Sequence, residues 1–350
     1  MASLILRRNQ THGFEERELG AIQRRCRSAL ATLIGGRSSD IALLPNTSFG
    51  VSLAATLVGA GPVGDVLVPQ GEFPANVLPW KSLESRGFRV RTIDSRPDGL
   101  PDEEALLESL TAPEVRAVAM STVQFASGYR ADVARLGALC RERGVLLCLD
   151  AIQGLGVDPF DVVTSGAHIV AAGGQKWLCG PWGSGFAWID PEVRERFHSP
   201  IVSWLAVQGG AALEGPIGTE LDWREDARKF EPATLGVQDY LGLARSVEVL
   251  LEVGIDRIRR HVHEVHAPLL DWIDSRPDVS LWTPRDPDYR AGIVAFRPER
   301  LADVQSALND ANVVFSVREG AVRFAPHLYT SVGEMGLVVE RMEQALTTRA

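Results

Sequence analysis

The stretch AAGGQKWLCGPWGSG, residues 171–185, decides how this sequence is interpreted. At its centre is Lys176, one of only three lysines in the chain. It lies in a glycine-rich turn between two apolar runs, 168–172 and 185–189, which predict strands. A lysine loses its proton when it is removed from water, whereas arginine does not, and the free amine attacks carbonyl groups. Because a loop lysine is usually an ordinary surface residue, its interpretation depends on what the other strand ends carry.

The composition describes a globular chain that is long enough for two domains. Of its 350 residues, 45% are hydrophobic and 23% are charged. The formal net charge of −9 argues against nucleic acid or an anionic membrane as the main partner. The four cysteines form no C-x-x-C pair, which predicts reduced thiols in a cytoplasmic protein without a metal site. Neither a signal peptide nor a membrane-spanning run is expected.

Strand and helix patterns alternate through the first two-thirds of the chain. The predicted strands there are 41–44, 65–68, 88–93, 115–121, 145–150, 168–172 and 185–189, and the helices are 15–34, 75–85, 102–110 and 132–143. This alternation predicts a parallel sheet with right-handed crossovers. Long helices follow at 238–253 and 255–275. The pattern of the C-terminal residues predicts the strands 279–282, 290–296, 313–317 and 322–325. It also predicts the helices 301–309 and 332–347.

We therefore expect an α/β fold in three parts. An N-terminal arm covers 1–20, a large domain with a mainly parallel sheet covers 21–244, and a small C-terminal α+β domain covers 245–350. The sequence GAGPVG at 59–64 has the spacing of a dinucleotide-binding loop. However, it follows a helix and precedes a strand, which is the reverse of what that motif requires. An NAD-linked oxidoreductase would rest on this loop alone, so we reject that interpretation.

Four strand ends carry side chains that suit different parts of one cofactor. Thr47 and Ser48 open a helix after a strand, where unpaired N–H groups and hydroxyl groups suit a phosphate. Phe73 suits a flat ring, and Asp150, at the tip of a buried strand, suits a protonated ring nitrogen. Lys176 suits an aldehyde. Each has an ordinary structural explanation by itself, but together they describe pyridoxal phosphate, which needs a lysine Schiff base and an acidic partner.

The sequence also resembles the class V aminotransferase family of fold-type I pyridoxal phosphate enzymes, from about Phe14 to the end. Members include cysteine desulfurases, selenocysteine lyases, isopenicillin N epimerases, kynureninases and the C–S lyases of ergothioneine synthesis. The D-x-x-Q and Q-K-W-x-x-G-P pieces are the specific ones. The matching stretches are NTS (46–48), EFPANVLPW (72–80), LDAIQG (149–154), GQKWLCGP (174–181), KFEPAT (229–234) and VRFAPHLY (322–329).

The resemblance implies a role for each residue around the cofactor. Lys176 would form the Schiff base, Asp150 would bind the pyridine nitrogen, and Gln153 would bind the ring hydroxyl. Phe73 would stack on the ring. The residues implied around the phosphate are Thr47, Ser48, Gln175 and, from the second subunit of a homodimer with shared active sites, Thr234.

The resemblance also implies how a substrate would be held and attacked. Arg323 would bind its carboxylate in a bidentate manner, and Gln124 would be a further contact. Asp150 beside a pyridinium should have a lowered pKa and stay ionised. Lys176, once released by the substrate, would remove the Cα proton. These steps are common to transamination, racemisation and β-elimination.

Two departures from the family pattern bear on the reaction. Desulfurases carry a nucleophilic cysteine shortly before the carboxylate-binding arginine, whereas no cysteine follows Cys179 here. We therefore expect an aminotransferase or a C–S lyase acting at Cα or Cβ of an amino-acid-type substrate, and not a persulfide-forming desulfurase. An amino-acid epimerase is the alternative within the family. The usual N-terminal arm motif is also missing, which keeps open a non-catalytic binding or scaffold protein.

Overall fold

The apolar runs predicted as strands assemble into one seven-stranded sheet. The computed structural model describes residues 16–208 and 221–347. The strands of this large sheet are β1 (Ile41–Leu44), β2 (Asp65–Pro69), β3 (Arg89–Ile93), β4 (Val115–Ser121), β5 (Leu146–Asp150), β6 (Ile169–Gly173) and β7 (Gly185–Ile189). Their order in space is β1-β7-β6-β5-β4-β2-β3.

The direction of the strands brings most of their carboxyl ends to one edge. Strands β2 to β6 are all parallel, and β7 is antiparallel to both of its neighbours, β6 and β1. Strand β1 consequently runs in the same direction as β6. The expectation of a mainly parallel sheet is confirmed, and the turns that follow β1, β2, β4, β5 and β6 meet at the same edge, where α/β sheets bind ligands.

Helices cover both faces of this sheet. The described helices are α1 (Glu16–Leu33), α2 (Thr47–Gly59), α3 (Leu78–Lys81), α4 (Glu103–Ser109), α5 (Val133–Arg143), α6 (Pro191–Arg196), α7 (Val237–Val253), α8 (Ile255–Asp274), α9 (Leu301–Asp310) and α10 (Val332–Thr347). In β5, Leu147 and Leu149 pack with α1, α4, α5 and α7, whereas Cys148 packs with α2 on the opposite face. The sheet is therefore buried on both sides, as parallel sheets are.

The small sheet is antiparallel and lies between two layers. Its strands are β8 (Val279–Leu281), β9 (Val294–Pro298), β10 (Ser316–Arg318) and β11 (Ala321–Phe324), in the order β10-β11-β9-β8. One face, which includes Phe296 and Val322, packs against α8, α9 and α10. The other face, which includes Ala295 and Ala321, joins the core of the large domain. No helix in the described ranges is long and apolar enough to cross a lipid bilayer.

The three-part division of the chain stays a prediction. Its boundary between residues 244 and 245 lies within α7, residues 16–20 of the predicted arm are part of α1, and residues 1–15 lie outside the described part. The single helix predicted at 75–85 is wrong. Three short pieces replace it, Pro74–Asn76, α3 and Ser82–Arg86, because Val77 is not helical and Pro79 has no N–H to donate.

A buried ion pair holds the segment before α7 to helix α1. Arg27 of α1 donates from Nη2 to both carboxylate oxygens of Glu231, at 2.6 and 2.7 Å. Oε1 of Glu231 also accepts from the backbone N–H of Leu43 in β1, at 2.8 Å. Both charged side chains are almost fully buried, at 5% and 3% exposure. Glu231 thereby fixes the KFEPAT segment, which carries Thr234, to the large domain.

We expect Glu231→Ala to lower the free energy of unfolding by about 3–5 kcal/mol, because it leaves the Arg27 guanidinium buried without an anion. The urea midpoint at neutral pH measures this loss. Arg135→Ala is the matched control, since Arg135 pairs with Glu104 on the surface and its removal should change the midpoint little. Equal midpoints for the two variants would contradict a stabilising role for this pair.

Candidate active site

Lys176 lies in a turn just beyond β6, at the carboxyl edge of the large sheet. The turn is closed by backbone hydrogen bonds from Gly174 to Ser184, at 2.8 Å, and from Gly180 to Gly174, at 2.7 Å. The Lys176 side chain is open to solvent, and its Nζ lies 5.8 Å from the centre of the Phe73 ring. The surrounding protein nonetheless lowers the pKa of Lys176 through desolvation. Asp150 opposes this shift in the pKa of the amine, and Arg323 and Arg318 add to it.

Trp177, the residue after the lysine, is held by three contacts. Its Nε1 donates to Oε1 of Gln153 at 3.0 Å, and its ring stacks on His327 with centroids 5.1 Å apart. Nε2 of His327 donates to the Trp177 carbonyl at 2.9 Å. A Cβ atom on Gly292 would lie 2.2 Å from the indole, so only glycine fits there. The turn that presents Lys176 is thus held against the small domain as well as the large one.

Asp150 is the buried acid of the site. It ends β5 with 4% of its surface exposed, and its Oδ1 accepts from the Ile152 N–H at 3.0 Å. Burial raises the pKa of Asp150 to about 7, and the negative charge of Glu72 contributes to the rise. We predicted a lowered pKa for Asp150 beside a pyridinium, and the chain alone gives the opposite direction. A cation bound at this carboxylate would act against the desolvation and favour the ionised form.

Glu72 is a second carboxylate that the sequence interpretation missed as a site residue, although it opens the EFPANVLPW stretch. It accepts from the backbone N–H of Ser121 at 2.7 Å, from the Ser121 hydroxyl at 2.5 Å, and from Nδ2 of Asn76 at 3.0 Å. Burial raises the pKa of Glu72, and these hydrogen bonds oppose the rise. Ser121 is paired with Asp150 across β4 and β5, so Glu72 sits above the same strand ends as Asp150.

The start of α2 offers donors that the helix itself does not use. Asn46, not Thr47 or Ser48, is the N-cap, and its side chain accepts from the Phe49 N–H at 2.9 Å. Oγ1 of Thr47 and Oε1 of Gln175 are buried with no hydrogen-bond partner. A Cβ atom added to Gly173 would lie 3.1 Å from the first and 2.4 Å from the second, so both border one small space. Ser48 is exposed beside them.

The unpaired atoms of Thr47 and Gln175 bear on whether the site suits a phosphate. A buried polar atom without a partner costs free energy, and a ligand that hydrogen-bonds to it would remove this cost. Amide oxygen and nitrogen are interchangeable by rotation of the side chain, so Gln175 can present its N–H₂ group. Together with the N-terminal N–H groups of α2, the residues fit an anion.

Aromatic rings and an arginine of the small sheet complete the candidate site. Phe73 is 45% exposed and makes an edge-to-face contact with Phe125, with centroids 5.2 Å apart. Arg323 of β11 is half-buried, donates from Nε to the Ser316 hydroxyl at 2.9 Å, and donates from Nη1 to the Phe125 carbonyl. Desolvation, with a smaller effect of Arg318, lowers the pKa of Arg323.

Two further predicted residues have environments of their own. Gln124 is 4% exposed and its amide is already engaged, donating to Gly71 at 2.9 Å and accepting from the N–H and hydroxyl of Ser127 at 2.7 and 2.6 Å. It therefore holds the loop that carries Phe125, and its contact with substrate stays a prediction. Thr234 is exposed just before α7 and adopts a left-handed backbone with φ of 59°.

Known proteins are similar to this chain in sequence and in architecture. The aminotransferase class-V family model matches residues 6–327. A probable cysteine desulfurase of Aeropyrum pernix is 28% identical over 91% of this chain and 82% of its own length. An uncharacterized aminotransferase of Bacillus subtilis, YcbU, is 26% identical over 90% of this chain and 82% of its own length.

Solved structures agree on the fold. A cysteine desulfurase of Thermococcus onnurineus superposes with a TM-score of 0.85 at 23% identity, covering 97% of this chain and 87% of that one. A C-DES variant with glycine covalently linked to its PLP cofactor gives 0.87 at 21% identity, covering 97% and 91%. The expected fold-type I architecture is confirmed. Since the family model spans nearly the whole sequence, the chain belongs to the class-V aminotransferase family.

Proposed function

We propose that this chain is a pyridoxal-phosphate-dependent enzyme that acts at Cα or Cβ of an amino-acid substrate, as an aminotransferase or a C–S lyase. The observation that carries the proposal is the convergence of Lys176, Asp150, Arg323 and the unpaired polar atoms of Thr47 and Gln175 at one edge of the sheet. An amine with a lowered pKa that interacts with a buried carboxylate is typical of a catalytic site.

The residues present fit the cofactor in the following way. Thr47, Ser48 and Gln175 would hold the phosphate, and Phe73 would cover one face of the ring. Asp150 would hold a proton on the ring nitrogen, and the amide of Gln153 would reach the ring hydroxyl. When bound, pyridoxal phosphate supplies an aldehyde that condenses with amines and a protonated ring that withdraws electrons from Cα.

Chain residues then act on the substrate. Arg323, already oriented by Ser316, would bind the α-carboxylate and fix the Cα–H bond relative to Lys176. Desolvation and the two arginines lower the pKa of Lys176, so more of its Nζ is neutral and able to take up the Cα proton. Trp177 keeps the turn in place while that proton moves.

The cysteines support release of any cleaved sulfur without a protein-bound persulfide. No cysteine follows Cys179, and Cys26, Cys140 and Cys148 are buried. The Cys179 thiol is exposed, 3.5 Å from Nε2 of His327, but desolvation raises its pKa, which disfavours the nucleophilic thiolate. This part of the proposal departs from the relatives named cysteine desulfurase. The epimerase alternative has no observation in its favour.

Four unpaired thiols also support a reducing compartment such as the cytoplasm.

We further propose a homodimer in which Thr234 contributes to the partner's phosphate site. Its left-handed backbone and exposed hydroxyl support a role outside its own protomer, since a β-branched residue in this conformation is strained. Light scattering should give twice the chain mass of 38.1 kDa. A monomer that retains full cofactor occupancy would contradict the shared site.

We expect pyridoxal phosphate to attach covalently to Lys176. Borohydride reduction followed by peptide mass spectrometry should place the label on this residue, and Lys176→Ala should lose the label and the visible absorption band. Only Lys81 and Lys229 remain as competing lysines. Lys81→Ala is the matched control because Lys81 is an exposed lysine of α3, and it should keep both signals. Label on Lys81 or Lys229 alone would refute the assignment.

The same preparation distinguishes the two reactions on a panel of amino acids and cysteine conjugates. Pyruvate and ammonia would identify elimination, whereas conversion of the cofactor to its amine form would identify transamination. Wild type should turn over at least one compound, and Lys176→Ala should be slower by about a hundredfold or more, the usual contribution of a general base. A labelled wild type that is inert toward the whole panel would support the scaffold interpretation.

Asp150→Asn should weaken the pH dependence of stability of the cofactor-free protein. Folding raises the pKa of Asp150 to about 7. The cofactor-free wild type therefore loses stability as pH rises from about 4, the unfolded value, through 7. Melting temperatures at pH 5 and pH 8 should fall more for wild type than for Asp150→Asn. With cofactor bound, wild type should gain more stability than the variant. Parallel curves would argue against an unpaired buried acid.

A further inference from the structure

We propose that Arg318 binds a second anionic group at the far end of the substrate, so that the enzyme prefers amino acids whose side chain ends in a carboxylate or another acidic group. This inference rests on the proposed function, because it takes Arg323 as the ligand of the α-carboxylate. It adds the chemical class of the substrate, which the family assignment leaves open.

The strand register places Arg318 on the same face of the small sheet as Arg323. In the β10–β11 pair, Ser316 is opposite Arg323 and Arg318 is opposite Ala321. Directly opposed residues share a face, and so do residues two positions apart on one strand. Ala321 belongs to the core of the large domain, so this is the face that is turned toward Lys176. Arg318 is thus a neighbour of the carboxylate site, toward the turn of the hairpin.

Neither arginine on this face has an anionic partner. Arg318 is exposed, and its Nη1 donates to the carbonyl of Val317 at 3.0 Å. Arg323 bonds to a hydroxyl and a carbonyl. Within residues 16–208 and 221–347, no carboxylate lies within ion-pair distance of either guanidinium. By contrast, Arg276 of the same domain pairs with both Asp278 and Glu343.

The positive charge of Arg318 reaches the groups where a substrate would lie. It lowers the pKa of Arg323 and also that of Lys176. Two guanidinium groups and an amine that repel one another are a favourable site for a molecule carrying two negative charges. A substrate with one carboxylate would neutralise Arg323 and leave Arg318 unpaired.

The spacing of the two arginines limits the size of the substrate. Arg318 is two residues along the strand from Ser316, the residue opposite Arg323, which is roughly 7 Å in extended backbone. Because arginine side chains are long and flexible, the two guanidinium groups can approach more closely than the backbone positions do. Side chains of two or three carbons that end in a carboxylate or a sulfinate therefore match the gap between the two guanidinium groups.

The test compares two four-carbon acids that differ in one charge, succinate and butyrate, bound to the cofactor-loaded enzyme. The perturbation of the visible band gives a dissociation constant for each. We expect wild type to bind succinate about tenfold more tightly than butyrate, the gain of one partly shielded charge pair. Arg318→Gln should reduce this ratio to near one, chiefly by weakening the binding of succinate. Arg318→Lys, which keeps the charge, should retain most of the ratio.

Arg341→Gln is the control for net charge. Arg341 is an exposed arginine of α10 whose Nη1 bonds to the Gln344 side chain, and its loss should leave the ratio as in wild type. Equal binding of the two acids by wild type, or a ratio that survives Arg318→Gln, would overturn the role of Arg318. A wild type that carries no cofactor on Lys176 would overturn the proposed function instead, so the two failures are distinguishable.

Discussion

The contacts of one tryptophan join the lysine turn to both sheets around the candidate site. Trp177 follows Lys176 in sequence, donates to Gln153 at the end of β5, stacks on His327 of the small domain, and fills the space above Gly292. A side chain with three such partners has one position, and its neighbour in the chain is fixed with it. The lysine is therefore oriented by packing and hydrogen bonding on both sides of the cleft, while its own side chain remains free to move.

Charge is distributed across this cleft in two layers. The ends of the large-sheet strands carry two acids, Asp150 and Glu72, and the small sheet presents two cations, Arg323 and Arg318. Asp150 and both arginines interact electrostatically with Lys176. Desolvation disfavours the charged forms of Asp150 and Lys176, so each alone is held in an environment that favours neutrality. A ligand with a cationic ring beside the acids and anionic groups beside the arginines would neutralise both sets of charges. Pyridoxal phosphate together with an acidic amino acid has this distribution of charge.

The sequence predicted those parts of the molecule that depend on local patterns. The strand at 115–121 and the helix at 332–347 match β4 and α10, because continuous apolar runs and regular helical spacing need no tertiary information. Lys176, Asp150 and Thr47 were predicted from their places at strand ends, and the structure brings them to one edge. The helix at 75–85 failed because its composition is helical while Pro79 interrupts the backbone hydrogen bonds. Arg318 and Glu72 were missed because their meaning depends on strand pairing and on burial, which a single sequence does not encode directly.

The position of the small sheet has a consequence for how the molecule is divided. Ala295 and Ala321 on its inner face, with Trp282 and Ile293, belong to the same core as the helices of the large domain. Helix α8 likewise contributes Ile258 to that core and Val265 to the other. The two parts therefore share their apolar interior and are not separable bodies on a linker. Cutting the chain near residue 245 would expose the shared apolar core to water on both fragments. We therefore expect the whole chain to unfold cooperatively. The candidate site exists only while both parts are folded together.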